Sequence, residues 1–298
     1  MFKKTSFLFL VLALALCLSA ANAETVTVND MFGREVTLEG PVERVIVLQP
    51  GDCEILFALG CGNALVGRGA YCDYPDAVLE VPAVQSGAET NLEEILALEP
   101  QLVITSDMAF PEEQVNLLTA SGVPVLVTEA DSIAETYAAI HLIGQAMGRE
   151  AEAEALIADM QSTFDAIASQ SARTDKTVYF EVMPLEWGLW SAGASTFMHE
   201  LAEMCGVQNA FADIEGWQSI SQEQVIERNP DYIVLVTGMG DTAVDEVLSR
   251  PGWQDIKAVR SGLVYNADSY TLTRPSPRLK QAAVELYRFF SGEDLATE

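Results

Sequence analysis

The sequence predicts an α/β fold of two similar lobes joined by a single long helix. The first observation is an internal repeat, in which a helical segment, a proline and a β-rich run recur about 130 residues further along the chain. The second is a strand, loop and helix unit that lies upstream of each copy. The third is a proline-free stretch between Val125 and Met183 whose apolar residues follow helical spacing.

The N-terminal segment, residues 1–23, predicts export. Lys3 and Lys4 precede an apolar run from Phe7 to Leu18, and the small residues of Ala21-Asn22-Ala23 form a cleavage site. The run is shorter than the ~20 apolar residues of a membrane-spanning helix. The mature chain is therefore expected to begin at the next residue, on the periplasmic or extracellular side of the cytoplasmic membrane.

Cysteine usage leaves two questions open. Lipidation of Cys17 is the alternative to simple cleavage, but the preceding Leu16 is not a small residue and the apolar run continues past the cysteine. Four cysteines remain after processing: Cys53, Cys61, Cys72 and Cys205. Export permits a bridge between Cys53 and Cys72, and buried free thiols are the alternative.

The first predicted lobe spans residues 24–147. A strand over Arg44–Leu48 leads through a loop into a helix over Cys53–Leu59, and further strands are predicted at Leu102–Ile104 and Gly122–Val127. The run at 102–104 is apolar throughout, which is typical of a parallel strand buried on both faces.

The predicted interdomain helix spans residues 148–172. A capping box, Ser132-x-x-Glu135, begins the helical stretch, and Gly148 divides it. The second piece, Arg149–Ser169, would span ~30 Å, enough to connect two lobes, and such a rigid connection predicts modest closure on ligand binding. Its apolar face is predicted to comprise Ala155, Leu156, Met160, Phe164 and Ile167.

The second predicted lobe, residues 173–298, repeats the first. Strand Thr177–Val182 leads into a helix over Thr196–Met204, and strands follow at Tyr232–Val234 and Gly262–Tyr265. The same unit in the same order indicates duplicated lobes.

The strongest repeat matches NLEEILALEPQLVIT at 91–105 with SQEQVIERNPDYIVL at 221–235. In each copy a glutamate, Glu93 or Glu223, lies seven residues before a proline, with a helical apolar pair between them. The proline ends the helix and the β-rich run follows. The two glutamates therefore occupy equivalent positions on the two lobes.

Charge and histidine content exclude several classes of function. The chain has 16 basic and 44 acidic residues, and removal of residues 1–23 takes away two lysines, which leaves a net charge of −30. So acidic a protein is not expected to bind nucleic acid, which needs clustered lysine and arginine. With only His141 and His199 and no Cys-x-x-Cys motif, no dedicated metal site is predicted.

The sequence does not predict an enzyme or a bound cofactor. It has no nucleophile elbow, P-loop or zinc-hydrolase motif. The glycines of Gly60–Gly67 follow a helix instead of a strand, so they do not form a dinucleotide-binding loop.

Aromatic residues are concentrated in the loops that should line the cleft between the lobes. Ligands of open α/β sheets bind at the carboxyl ends of the strands, and large aromatics there suit a broad, partly apolar ligand. These residues follow predicted strands or precede the second repeat helix: Tyr71, Tyr74, Trp187, Trp190 and Trp217.

Over nearly all of the mature sequence, the chain resembles the iron-siderophore and vitamin B12 class of ABC-transporter solute-binding proteins. The resemblance lies in these stretches, in order: VTVNDMFGREVTL, RVIVLQPGDCEILFALG, YCDYP, NLEEILALEPQLVI, GWQSISQEQVIERNPDYIVL and SPRL. It implies two Rossmann-like lobes on a helical backbone (class III periplasmic binding protein), a monomer, a metal chelate as cargo, and an ABC permease dimer with its ATPase as partners.

The resemblance also implies roles for particular residues. Members of this class dock each lobe on one permease subunit through a carboxylate that faces an arginine, and Glu93 and Glu223 occupy those positions. The alternative is that both are helix N-terminal acids favoured by the helix dipole. Predicted ligand contacts, part of them carried over from the B12-binding member, are Tyr71, Trp187, Trp190, Trp217, Asp268, Tyr270 and Arg274.

The identity of the chelate stays open at this point. Two tryptophans of the B12 pocket correspond to Gly87 and Ser106, which removes stacking surface for a corrinoid. A predicted hairpin around Asp30–Arg34 is more typical of ferric-siderophore members. Heme is a further alternative, with Tyr71 or His199 as axial ligand, although the apolar helix Thr196–Met204 favours a structural role for His199. A stand-alone sensor of the same fold is also compatible with the sequence.

Overall fold

The computed structural model describes residues 25–85, 90–106 and 111–296. The predicted signal peptide, Cys17 and Gly87 lie outside the described residues. The strands are β1 (Thr25–Asn29), β2 (Glu35–Glu39), β3 (Val45–Val47), β4 (Leu65–Gly69), β5 (Ala83–Val84), β6 (Leu102–Ser106), β7 (Val125–Thr128), β8 (Thr177–Glu181), β9 (Trp190–Ala192), β10 (Gln208–Asn209), β11 (Trp217–Ser219), β12 (Tyr232–Leu235) and β13 (Val264–Asn266). The α-helices are α1 (Pro50–Ala58), α2 (Leu92–Ala97), α3 (Glu112–Ala120), α4 (Ile133–Met147), α5 (Glu150–Gln170), α6 (Phe197–Met204), α7 (Gln222–Arg228), α8 (Ala243–Ser249), α9 (Lys257–Ser261), α10 (Ser269–Leu272) and α11 (Leu279–Ser291).

The two-lobed α/β fold predicted from the sequence is confirmed. One sheet has five parallel strands in the order β5-β4-β3-β6-β7. The other has four parallel strands in the order β10-β8-β12-β13. The central strands β3, β6, β8 and β12 are almost entirely buried, as expected for parallel strands whose two faces are covered by helices.

The internal repeat corresponds to equivalent elements of the two sheets. The short helix α2 precedes β6, and α7 precedes β12. β6 pairs with β3 and β7, just as β12 pairs with β8 and β13. Both helices begin at a polar cap, because the Asn91 and Ser221 side chains accept hydrogen bonds from first-turn backbone N–H groups.

The connection between the sheets is helical and bends at a glycine. α4 begins with the predicted capping box of Ser132 and Glu135, and Gly148 adopts a left-handed conformation at its end, with φ 64°. α5 has 21 residues and is therefore ~30 Å long. Its buried face differs from the prediction at one position, because Ala153 is buried and Ala155 is exposed.

One continuous core extends from the first sheet across α5 to the C-terminal helix. It includes Ile140 of α4, Met160 of α5 and Leu286 of α11. A hairpin of β1 and β2 precedes the first sheet and turns at the predicted Asp30–Arg34 segment. In the part of the chain that the structure covers, no helix has the length and apolar character that crossing a bilayer requires.

Candidate ligand-binding site

A cavity of about 220 Å³ lies between the two lobes. It sits where strands of both sheets end: Gln49 follows β3, Ser106 ends β6, Thr128 ends β7, and Val182 follows β8. This is the expected position for a ligand of open α/β sheets. The cavity is smaller than a corrinoid or a siderophore complex, so it can enclose only part of such a ligand.

The wall from the first lobe is polar and acidic. Besides Ala130 and Ala139, its lining residues are polar: Gln49, Asp52, Ser106, Thr128, Glu129 and Asp131. Asp52 belongs to the first turn of α1 and is only 4% exposed. Because burial disfavours its ionised form, the pKa of Asp52 is raised to about 7, although the hydrogen bond with Thr128 lowers it; Glu129 raises it further.

Thr128 connects Asp52 to the end of a neighbouring strand. Its hydroxyl carries one proton and has two acceptors in reach, Asp52 Oδ2 at 2.6 Å and the Thr105 carbonyl oxygen at 3.2 Å. A protonated Asp52 can donate to Thr128 while Thr128 donates to Thr105. The neutral form of the acid therefore satisfies this buried chain of hydrogen bonds better than the ionised form.

The wall from the second lobe is apolar and aromatic. Val182, Phe197 and Trp217 line it, and the rings of Phe197 and Trp217 lie 5.4 Å apart in a tilted arrangement. Trp217 is on β11, which pairs with β9 so that Trp190 lies opposite Ser219. Directly paired and alternate residues share a face of a two-stranded ribbon, so Trp190 and Trp217 lie on the same face.

Asp131 joins the two walls. Its carboxylate accepts a hydrogen bond from Trp217 Nε1 at 2.8 Å, and its carbonyl oxygen accepts one from the Phe197 backbone N–H at 2.6 Å. Close by, the Glu200 carboxylate accepts a hydrogen bond from the Ile133 backbone N–H at 2.7 Å. The lobes are therefore in direct contact along this side of the cavity.

A second inter-lobe contact is built around Glu54, which is buried in α1. Arg274 Nη1 lies 3.1 Å from Glu54 and 2.6 Å from Asp73, and Arg278 donates to Glu54 through Nε at 2.9 Å. The hydrogen bond from Arg274 lowers the pKa of Asp73. We call these four residues the Glu54 cluster. On the same segment, Pro275 packs against Gly51 so closely that a Cβ there would lie 2.7 Å from the Pro275 carbonyl oxygen.

Of the predicted ligand residues, the structure places one in the cavity wall, Trp217. Arg274 points to the Glu54 cluster, and its guanidinium also stacks 4.4 Å from the Tyr270 ring centroid. Asp268 caps α10 by accepting a hydrogen bond from the Tyr270 backbone N–H. These residues lie beside the cavity, and their contact with a ligand stays a prediction.

The remaining predicted aromatics are exposed. Tyr71 is 74% exposed, Trp187 68% and Trp190 38%. The Tyr71 carbonyl accepts from Arg274 Nη2, which places this tyrosine next to the Glu54 cluster. They can contact only the part of a large ligand that extends beyond the cavity.

His199, considered above as an axial heme ligand, does not line this cavity. It lines a separate surface depression together with Arg173, Glu203 and other residues of that side of the second lobe. The structure therefore does not bring His199, the alternative axial heme ligand, to this cavity.

The acidic wall was not predicted, although the sequence contains a signal for it. Gln49, Thr128, Glu129 and Asp131 are the first polar residues after predicted buried strands. The prediction placed the ligand in those loops but considered only their aromatic residues. Ser106, interpreted as a lost tryptophan, contributes a buried polar side chain to this wall.

Glu93 and Glu223 are exposed in the first turns of the equivalent helices α2 and α7. Backbone N–H and Ser221 hydrogen bonds lower the pKa of Glu223. Both positions are accessible to a partner, and docking through them stays a prediction.

All four cysteines of the predicted mature chain are buried with free thiols. The thiol of Cys53 is hydrogen-bonded to that of Cys72; this contact and burial raise the pKa of Cys53. In the described residues, no group of three or more histidine, cysteine or acidic side chains is arranged to hold a metal ion.

Known proteins resemble this chain over most of its length. Residues 45–271 match a family described as periplasmic binding protein. The chain is 34% identical to the uncharacterized ABC transporter substrate-binding lipoprotein YvrC of Bacillus subtilis (strain 168), covering 88% of this chain and 84% of that protein. It is 30% identical to the vitamin B12-binding protein of Yersinia pestis (strain Pestoides F), covering 82% and 85%. The solved structure of the periplasmic heme-binding protein RhuT from Roseiflexus sp. RS-1, in apo form, matches with a TM-score of 0.76 at 29% identity, covering 84% of this chain and 98% of that one.

Proposed function

The chain belongs to the periplasmic binding protein family, and on that premise we propose that it is the extracytoplasmic solute-binding component of an ABC importer. Its cargo is a metal chelate, either a corrinoid or a ferric siderophore, which it delivers to the permease. The observation that supports this most is the cavity at the strand ends of both lobes, with one polar wall and one aromatic wall.

The relatives support transport over catalysis. The names of YvrC and of the Yersinia protein describe binding components, and both relatives match this chain over more than four-fifths of its length. A binding component needs a cleft between two lobes and a surface that its permease recognises. The cavity is a candidate for the first, and the equivalent, exposed Glu93 and Glu223 are candidates for the second.

We propose that these glutamates dock the protein on a permease dimer that works with an ATPase. Two exposed acids at equivalent positions of duplicated lobes suit a partner with two-fold symmetry. In a stand-alone sensor of the same fold both glutamates would be dispensable, so a transport assay distinguishes the two functions. A permease and an ATPase encoded in neighbouring genes would also support the importer.

Heme is a weaker candidate than a corrinoid or a siderophore, although RhuT is a heme-binding protein. A heme iron in a protein is bound by histidine, cysteine, methionine or tyrosine. The described residues of the cavity wall include none of these. Tyr71 could reach only a ligand outside the cavity.

Export of the chain follows from its family, and we propose cleavage after Ala23 without lipid attachment. The YvrC relative is described as a lipoprotein, which makes the alternative at Cys17 worth testing. Mass spectrometry of the mature N-terminus distinguishes the two, because a diacylated Cys17 would contradict our proposal.

The proposed cargo is tested by thermal-shift and calorimetric titrations of the mature protein. The probes are cobalamin, cobinamide, heme and several ferric siderophores. A ligand that binds only the folded state raises the melting temperature, and at 100 times its Kd it stabilises by about 2.7 kcal/mol. We expect a corrinoid or a siderophore to do so. Saturable binding of heme alone would contradict the proposed cargo, and binding of none would contradict the proposed function.

A further inference from the structure

The equivalent helices α2 and α7 expose an aliphatic side chain as well as a glutamate. Leu96 is 38% exposed and Ile226 is 40% exposed. At the offset that relates Glu93 to Glu223, Leu96 corresponds to Ile226. Each aliphatic residue lies three positions after its glutamate, so the two side chains are neighbours on one face of the helix, with Cβ atoms about 5–6 Å apart.

The two helices have the same burial pattern and end in the same way. The residue that precedes the exposed aliphatic side chain, Ile95 in α2 and Val225 in α7, is buried in the core of its lobe. Each segment then passes through a non-glycine residue in the left-handed conformation, Glu99 with φ 45° and Asn229 with φ 49°, directly before a buried proline. The two lobes therefore present their acid and their aliphatic residue in the same arrangement.

The other exposed positions of these helices differ between the lobes. Glu94 corresponds to Gln224, and Ala97 corresponds to Glu227. The exposed features that both helices share are therefore the acid and the aliphatic residue three positions after it.

Packing within each lobe does not account for the shared aliphatic residues. Among the described residues that form the hydrophobic cores, neither Leu96 nor Ile226 is included. The exposed leucine of the following helix does not repeat, because at the same offset Leu117 of α3 corresponds to the buried Val247 of α8. A single exposed aliphatic residue is ordinary on a protein surface, but one beside an acid at the same place in both lobes suits a partner with two-fold symmetry.

We infer that Leu96 and Ile226 belong to the surface that docks on the permease. Each side chain seats in an apolar depression of one permease subunit, next to the cationic side chain that faces Glu93 or Glu223. The inference rests on the proposed function and adds an apolar contact to each of its two charged contacts. The matching permease surface has its apolar depression about 5–6 Å from its cation, as the helix spacing requires.

The two kinds of side chain act on different steps of binding. Exposed charges steer the encounter and raise the association rate, and salt screens this effect. An aliphatic side chain that becomes buried at the contact adds affinity that depends little on salt, and its loss appears mainly in the dissociation rate. The glutamates therefore bring the lobes to the permease, and the aliphatic residues hold them there.

A second copy of this chain is the alternative occupant of the same surface. Pairing two such faces would bring glutamates together in a protein whose net charge is −30 after removal of residues 1–23. Sedimentation velocity of the mature protein should therefore show a monomer. A wild-type dimer that Leu96→Ser with Ile226→Ser dissociates would contradict the inference.

Binding kinetics on the permease test the inference. The permease and ATPase encoded in the neighbouring genes are reconstituted together in lipid nanodiscs, and the association and dissociation rates of the mature protein are measured at low and at high salt. Three double variants are compared with the wild type: an aliphatic variant, Leu96→Ser/Ile226→Ser; a charge variant, Glu93→Gln/Glu223→Gln; and a control at exposed leucines of α3 and α8, Leu117→Ser/Leu248→Ser.

We expect the aliphatic variant to dissociate about tenfold faster than the wild type at both salt concentrations, with an association rate within about twofold. The charge variant should associate more slowly at low salt and lose most of the salt dependence. The control should bind within about twofold of the wild type. Leu96→Ile with Ile226→Leu keeps an aliphatic side chain at each position and should also retain binding.

The outcomes separate this inference from the proposed function. If the wild-type protein does not bind the permease, the proposed function fails and the inference fails with it. If the charge variant is impaired while an aliphatic variant with the wild-type melting temperature binds normally, only the inference is contradicted. An equal loss in the control would also contradict it, because the effect would not then belong to the positions beside the glutamates.

Discussion

The two lobes are alike where a partner can reach them and unlike where they face each other. α2 and α7 have the same position relative to their sheets, a polar cap and an exposed glutamate in the first turn. In the cavity, the first lobe contributes acids and hydroxyls, and the second contributes Val182, Phe197 and Trp217. The duplicated scaffold keeps its outer edges equivalent, whereas the loops at the strand ends differ, so a ligand held between the lobes would meet two unlike walls.

The largest effect is expected from reversing the charges of the equivalent glutamates on α2 and α7. Reversing both charges, Glu93→Arg with Glu223→Arg, should reduce transport at least ~100-fold, since like charges at a docking surface suppress association. Ligand affinity should stay within twofold, because neither residue lines the cavity. Uptake of radiolabelled chelate and calorimetry measure the two quantities.

The control for this prediction is Glu154→Arg with Glu293→Arg, which changes the net charge equally at exposed positions outside α2 and α7. It should transport normally. Loss of ligand affinity in the docking variant, or normal transport by it, would show that these glutamates do not have the proposed role.

The second-largest effect is expected at the Glu54 cluster, which connects the two lobes beside the cavity. Glu54→Gln leaves the buried Arg274 and the partly buried Arg278 with less compensating charge, which should reduce the free energy of unfolding by about 3–5 kcal/mol. Asp73→Asn should cost less, because the Asp73 side chain is 38% exposed. Denaturant titrations measure both, and equal small losses would mean that the Glu54 cluster does not stabilise the lobe contact.

The third effect belongs to the acidic wall. In the folded state the pKa of Asp52 is raised to about 7 from 3.8. The folded protein therefore binds more protons than the unfolded chain between pH 4 and 7, and stability falls as pH rises through that window. Asp52→Asn should not show this fall in stability between pH 4 and 7. Its free energy of unfolding should therefore exceed that of the wild type by about 2–4 kcal/mol at pH 8 and differ little from it at pH 4.

Thermal or denaturant unfolding across pH 4–8 measures the Asp52 effect. Asp245→Asn in α8, which changes an acid outside the cavity wall, serves as a control and should run parallel to the wild type. A constant difference between Asp52→Asn and the wild type at all pH values would mean that Asp52 does not titrate in this window.

The smallest effect belongs to the aromatic wall. Trp217→Ala should weaken chelate binding about tenfold, or about 1–2 kcal/mol, because it removes ring surface from the cavity. Trp217→Phe keeps an aromatic ring and loses only the hydrogen bond to Asp131, so it should retain most of the affinity. Calorimetry with the best-binding chelate compares them, and equal losses in both variants would assign the effect to the hydrogen bond instead of the ring.

The same contrast explains what the sequence could predict. The equivalent edges repeat a pattern that is local in sequence, a glutamate followed by a helical apolar pair, a proline and a β-rich run, so the repeat alone placed β6 and β12. The site depends on contacts between distant parts of the chain. Glu54 meets Arg274 across 220 residues of sequence, and Asp131 meets Trp217 across 86, and no local pattern specifies either pair.

Within a helix, the spacing of apolar residues also predicted the buried face only in part. It identified α5 and its buried residues Met160, Phe164 and Ile167, but it assigned Ala155 to the buried face in place of Ala153. Alanine is small and frequent in this helix, so its pattern carries little information about which face is covered.

The account is tested most directly by locating the metal of a bound chelate. Crystals of the mature protein with the tightest-binding chelate, measured at the absorption edge of cobalt or iron, should show one anomalous peak between the lobes. The peak should lie on the open side of the cavity, with Trp217 on one side and the loop from Thr128 to Asp131 on the other. A peak on an outer surface of either lobe, such as the depression beside His199, would contradict the assignment of the cavity as the binding site.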